Sequence, residues 1–210
     1  MYQETIKQTL LPRFNHLSLG KSDEIIDNMR NGFEAHIRLM SDYFKSYNNF
    51  PDKLDMDLFV GFHKLLYPTG FEIKAIGNDG ISHIMYPGEW RKQYFVKQIT
   101  NFTKVEEIEK DFQKIIDNFN SLENKTREDI LRFYLDFGKV HPFGDSNGTV
   151  SAIICDILCV YYNFKPLELL KIRFNKKNNL FSLISEYEKD DSNENLSKIL
   201  VLIDKFNGTI

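Results

Sequence analysis

A chain of 210 residues, 42% hydrophobic and 27% charged, is long enough to bury a core and has the make-up of a globular protein. Its formal charge of −3 argues against a nucleic-acid surface, and no apolar run reaches the roughly 18 residues of a membrane span. The opening MYQETIKQTLLPRF is too short in its apolar part for a secretory leader, so the expected location is cytoplasmic, an effector delivered into another cell being compatible with it. Eighteen Phe and ten Tyr predict a core rich in aromatic packing.

Residues 1–20 are weakly patterned, with Pro12 and Gly20 as breaks. Ser22-Asp23-Glu24 then opens a helix whose stripe runs Ile26, Met29, Phe33, Ile37, Met40 and Phe44, lasting to about Tyr47 and stopped by Asn48-Asn49-Phe50-Pro51. Leu54, Leu58, Phe59, Phe62 and Leu65 space a second helix, closed by Pro68 and Gly70. Alternation over 71–76, the turn signal Asn78-Asp79-Gly80 and a return at 81–85 predict a hairpin, with a third extended piece over 94–99. Thr103 to Glu106 and Thr126 to Asp129 each have the pattern of a capping box before a helical stripe. The second of these helices should end at Gly138. Helices over about 166–172, 177–188 and 196–206 follow. No repeat, low-complexity tract or linker interrupts the chain, so it is expected to form a single domain over 1–210.

Between the Gly138 stop and the next helix lies His141-Pro142-Phe143-Gly144-Asp145-Ser146-Asn147-Gly148-Thr149. The apolar run behind it (Val150, Ile153, Ile154, Ile157, Leu158, Tyr161) predicts a buried central helix over about 147–162. A base, a carboxylate, an amide and two glycines therefore sit at a helix N-terminus, where free N–H groups and the dipole attract anions. That arrangement points to chemistry on a phosphate-bearing substrate. Cys155 and Cys159, four apart on the same run, are expected to be buried thiols. His16, His36, His63 and His83 show no zinc spacing, and His63 in its apolar helix is expected to pack or cap.

The nine-residue stretch resembles the signature of the Fic (filamentation induced by cAMP) family, HPFx[D/E]GNGRxxR. His141, Pro142, Phe143, Asp145, Asn147 and Gly148 match, and Ser146 is a mild change. Thr149 and Ala152 stand where the family has its two arginines. Gly88-Glu89-Trp90-Arg91 resembles the family's G-x-[FY]-R element, and Arg91 lies 50 residues before His141, as the family spaces it. Asn163 to Leu167 falls where the family often has a Pro-rich turn, so the likeness covers about 50–170, the Fic-like core.

The resemblance implies a mainly α fold, a Fic-like helical domain with a short β-hairpin flap. It implies a transferase that moves AMP from ATP onto a Tyr, Ser or Thr hydroxyl of a target protein. His141 would be the general base, as a neutral imidazole near pH 7 can be. Asp145 would hold Mg²⁺, although an Asp there also suits a helix N-cap. Asn147 would bind a phosphate oxygen, Gly144 and Gly148 would admit the phosphates without a Cβ, and Thr149 would offer a hydroxyl. The flap near 92–98 would dock an extended segment of the protein substrate by strand addition. Losing one arginine at such a site costs about 1.5–3 kcal/mol. Lys139, Arg91, Lys165 and Arg173 are candidates to replace the charge. No [S/T]xxxE[G/N] inhibitory helix is present. The arginine losses leave two alternatives open: a Fic-fold enzyme with another nucleotide or phosphate-containing donor, and a catalytically impaired binding protein.

Overall fold

A computed structural model describes residues 1–47, 50–76, 80–92, 102–174 and 178–208. It is mainly helical, with one small antiparallel sheet. The chain runs α1 (Tyr2–Ser18), α2 (Asp23–Ser46), α3 (Met56–Leu65), β1 (Ile73–Ile76), β2 (Ser82–Met85), α4 (Ile108–Asn120), α5 (Arg127–Val140), α6 (Asn147–Tyr161), α7 (Leu169–Arg173), α8 (Leu180–Lys189) and α9 (Asn193–Phe206). The strands pair with Ile73 opposite Met85 and Ile76 opposite Ser82. Among the described residues no helix is long and apolar enough to cross a membrane.

Helix α6 is the centre. Twelve of its fifteen residues are buried, and α1, α3, α5 and α7 pack around it. A helix apolar on all sides must lie inside the protein. Around it Phe59, Phe112, Phe133 and Phe137 interlock edge-on and stacked at 5.1–6.4 Å between centroids. Most of the buried hydrophobic side chains form one cluster, from Ile6 of α1 to Ile203 of α9, with Ile73 and Met85 of the hairpin outside it. Cys155 and Cys159 are inside it, and burial pushes both thiols upward. Ellman's reagent should therefore leave both unreacted in the native protein and titrate two thiols after urea unfolding. A native reaction on the mixing timescale would mean that α6 is not sealed.

Three expectations need correction. Residues 2–18 form a helix, despite Pro12 in its interior. A proline there forfeits one backbone donor, yet α1 survives because Ile6 and Leu10 are buried and it packs on α2, α6 and α7. Its two buried threonines are satisfied within the helix and, for Thr9, by α6 as well. Thr5 Oγ1 donates to Met1 O at 3.1 Å, and Thr9 Oγ1 lies 2.9 Å from Thr5 O and 2.8 Å from Asp156 Oδ2. Thr103 builds no capping box: its hydroxyl donates to Asp111 Oδ2 at 2.9 Å, and the chain enters α4 through a 3₁₀ turn over Val105–Glu107. Gly138 does not stop α5, which continues to Val140 and closes on His141 in the left-handed conformation, φ 48°.

The Thr126–Asp129 capping box forms as expected. Of the hairpin turn, Asn78 and Asp79 lie outside the described residues. The extended piece over 94–99 and all of the flap span except Lys92 lie outside them as well.

Candidate active site at the α5–α6 loop

The loop from His141 to Ser146 is held from inside by Asn147. Its amide closes a ring with one backbone unit: Phe143 N–H donates to Oδ1 at 2.9 Å, and Nδ2 donates to Phe143 O at 2.8 Å. Asn147 is 3% exposed, so its side chain shapes the loop in this conformation and leaves little room for a phosphate contact. Phe143 plugs the loop into the core. Its ring stacks on His63 at 4.1 Å and on Trp90 at 5.4 Å.

Two buried side chains, a neutral histidine and an arginine, support the loop from below. His63 bridges segments far apart in sequence. Gly88 N–H donates to its Nδ1 at 2.8 Å, which leaves the hydrogen on Nε2, 3.1 Å from Asp145 O. Burial, which outweighs its bond to Asp145, pushes the His63 pKa down to about 4, so the ring is a neutral bridge. Arg91 is 1% exposed. Its Nε donates to His141 O at 2.7 Å, its Nη2 reaches the carbonyls of Thr103 and Val140, and its own N–H donates to Pro142 O at 2.8 Å. The guanidinium thus satisfies the carboxyl-terminal carbonyls of α5, where a cation suits the dipole. That corrects its candidacy as a phosphate ligand: Arg91 holds His141 in place from beneath.

The His141 ring stacks on Phe102 at 4.2 Å and hydrogen-bonds the Gly138 carbonyl. With one ring N–H given to that carbonyl, the other nitrogen carries a lone pair. Burial first, then the positive field of Arg91, lowers its pKa to about 4; Arg173 adds to the same effect. Asp145 is exposed beside it, with Tyr67 Oη 3.2 Å from Oδ2. It is not the N-cap: that position is Ser146, at φ 58°, whose hydroxyl lies 2.7 Å from Tyr67 Oη. Among the described residues no group of three or more His, Cys, Asp and Glu could hold a metal by itself. A lone exposed carboxylate still fits Mg²⁺, which takes one or two carboxylates and completes its shell with phosphate oxygens and water.

Of the four cations considered as replacements, Lys139 lies over the Tyr187 ring at 4.8 Å, and Lys165 Nζ donates to Asn207 O at 3.1 Å. Of the four, Arg173 alone lines the cavity in front of the loop, its guanidinium against Gly148, where an added Cβ would meet it. A second arginine was not expected. Arg13 of α1 donates from Nη1 to Thr149 Oγ1 at 2.6 Å. Its signal in the sequence was the pair Ile6 and Leu10 followed by Arg13, a helical spacing obscured by Pro12. Ala152 is 1% exposed and has no outlet for a long charged side chain. Gly144 serves packing: a Cβ would press into the Met85 side chain of β2.

These groups face one cavity of about 550 Å³, lined by Arg13, His141, Asp145, Gly148, Thr149 and Arg173 among others. The N–H groups of Thr149 and Val150 bond Ser146 O, whereas those of Asn147 and Gly148 precede the first helical bond of α6 and belong to residues on the cavity wall. The cavity thus joins a neutral base, a carboxylate, two guanidiniums and a helix N-terminus. It can hold an anion and remove a proton next to it. Compared with known proteins, the chain matched no family model and no curated protein.

Proposed function

We propose that this protein is a Fic-like transferase that moves AMP from ATP to a Tyr, Ser or Thr hydroxyl of a protein. The observation that carries the proposal is the convergence of His141, Asp145, Arg13, Arg173 and the start of α6 on one cavity. The spatial fit of the two resembling segments supports it as well: Trp90 and Arg91 dock directly on Phe143 and Pro142.

In this reading the lone-pair nitrogen of His141 takes the hydroxyl proton as the oxygen attacks the α-phosphorus, and pyrophosphate leaves. Mg²⁺ bound through Asp145 would neutralise phosphate charge. The α6 N–H groups and the two arginines hold the phosphates, and Arg91 and His63 keep the loop rigid. A conjugate acid near 4 makes His141 a weak base in the free protein. Phosphate charge beside the ring would raise that value and strengthen the base when the donor is bound. The protein substrate would dock along the flap near 92–98.

The Asn147 amide, committed to Phe143, favours one second reading, a nucleotide-binding protein with impaired catalysis. Incubation of the protein with labelled ATP, UTP or GTP and a cell lysate separates the two. Labelling from ATP by the parent should fall about a hundredfold or more in His141→Ala. In the parent at sub-saturating ATP it should stay nearly flat between about pH 6 and 8, because in the free protein the base is already neutral there. No labelling by the parent from any of the three would leave the binding-protein reading, and labelling from UTP or GTP alone would make the donor a different nucleotide.

A further inference from the structure

We propose that Arg13 of α1 and Arg173 of α7 form a two-arginine clamp for a polyphosphate, delivered from outside the loop motif, with pyrophosphate as its smallest sufficient ligand. The inference deepens the proposed function, from which it takes only the phosphate-bearing donor, and it holds whether or not transfer follows.

The two residues reach adjacent positions of one helical turn. Arg13 binds the Thr149 hydroxyl, and Arg173 covers Gly148. Successive residues on a helix point about 100° apart, so the guanidiniums flank the α6 N-terminus from two sides. Both line the same cavity as the Asn147 and Gly148 backbone. Two other arginines have their forks filled: Arg127 pairs with Asp204 at 2.6 Å, and Arg132 bonds Tyr187, Asp191 O and Asn193, whereas Arg30 and Arg38 each make one bond within α2 and do not line the cavity. Arg13 and Arg173 have no carboxylate partner among the described residues. Arg13 makes one bond, to a neutral hydroxyl, and Arg173 interacts with the Tyr134 hydroxyl and lies over the Phe181 ring at 5.9 Å, neither of which is an anion. Each guanidinium carries five N–H donors, so most of each fork is open.

Two forks and a helix N-terminus around a cavity of about 550 Å³ suit an anion with several oxygens spread over more than one phosphorus. One fork takes two phosphate oxygens, so pyrophosphate can give each fork a phosphorus of its own, which a single phosphate cannot. Asp145, the carboxylate lining the same cavity, limits the occupancy by an anion alone and favours one that arrives with a divalent cation.

The test is calorimetric titration of the full chain with sodium pyrophosphate, with and without MgCl₂, and with inorganic phosphate. Arg13→Ala and Arg173→Ala should each weaken pyrophosphate binding about ten- to a hundredfold, the loss of one charged donor set. The double variant should bind no better than the parent binds inorganic phosphate. Lys171→Ala removes the same charge from α7 outside the cavity, where its partner is Glu168, and should change affinity less than twofold. Thermal melting reports whether each variant folds. Should Arg13→Ala fail to fold, Arg13→Lys keeps the helix and charge but loses the planar fork, and should still bind several-fold more weakly. No pyrophosphate binding by the parent, parent-like binding by the double variant, or equal weakening by Lys171→Ala would each overturn the clamp. Lysate labelling is scored separately: a parent that binds pyrophosphate but labels nothing removes the transferase reading and leaves the clamp standing.

Discussion

Asp156→Ala should be about 2–6 kcal/mol less stable than Asp156→Asn, which should itself be as stable as the parent or more stable at pH 7.5. Asp156 sits in the middle of α6 and is 1% exposed. Its Oδ1 accepts from the N–H groups of Leu167 and Glu168 at 2.8 and 3.1 Å, and its Oδ2 is 2.8 Å from Thr9 Oγ1. One carboxyl group thus ties α1 and the segment before α7 to the central helix. Alanine leaves two N–H groups without an acceptor in a place water does not reach, at about 1–3 kcal/mol each. Asparagine keeps Oδ1 for both, and its Nδ2 can donate to Thr9 Oγ1 while the Thr9 proton goes to Thr5 O, 2.9 Å away.

The charge is the remaining difference. Burial raises the Asp156 pKa from 3.8 to about 6, against the lowering effect of its hydrogen bonds. The folded state therefore binds this proton more tightly than the unfolded state, and ionisation above pH 6 works against folding by about 3 kcal/mol. Asn removes that penalty. Urea unfolding at pH 7.5 measures all three proteins, and an Asn variant as unstable as the Ala one would show that the negative charge itself is required.

Asp156 also shows where sequence stops being informative. Its neighbours on both sides are apolar, so periodicity makes α6 legible as a buried helix and says nothing of a carboxylate inside it. What makes it tolerable lies 147 residues earlier, at Thr9, and 11 and 12 residues later in an irregular segment. The loop could be read because covalent proximity alone places His141, Asp145 and the start of α6 together. The hairpin and α5 could be read for the same local reason, alternation in one and a reciprocal cap in the other. Helix α1 could not, because its buried face includes threonines whose hydroxyls are satisfied only in the folded protein and because Pro12 reads as a stop. Losing α1 from the sequence reading also lost Arg13, 136 residues from the Thr149 it contacts. Arg91 was noticed by its spacing, but only the fold shows it beneath the loop. His63 was expected to pack or cap; the structure adds that it joins Gly88 to Asp145.

The folded protein should lose stability as pH falls from about 6.5 to about 4, and Asp156→Asn should lose it more steeply than the parent. His63 and His141 are both held neutral by burial, with pKa values near 4 against an ordinary 6.5. Between those values the unfolded chain binds protons that the folded chain refuses, so stability is fully present above 6.5 and is lost as pH drops through 4. Each shift is worth about 3.4 kcal/mol, and the two together about 7. Asp156 acts in the opposite sense across nearly the same window, since its folded form gains a proton near pH 6 that the unfolded chain takes up only near 3.8. Asp136, also raised by burial, leans the same way as Asp156. The parent therefore declines by the difference, and removing the Asp156 titration removes part of the offset. Urea midpoints of parent and Asp156→Asn at pH 7.5, 6.0, 5.0 and 4.5 decide it. A parent whose stability does not fall below pH 6 would mean that the two histidines are not buried neutral groups. Equal slopes for both proteins would mean that Asp156 ionises in the folded state as it does in water. Because His141 and His63 flank the same loop, one through its ring and one through the Asp145 carbonyl, protonating either should loosen the loop before the helical core. Histidine ring resonances and the Phe143 amide should then shift at a higher pH than the one at which α-helical circular dichroism is lost.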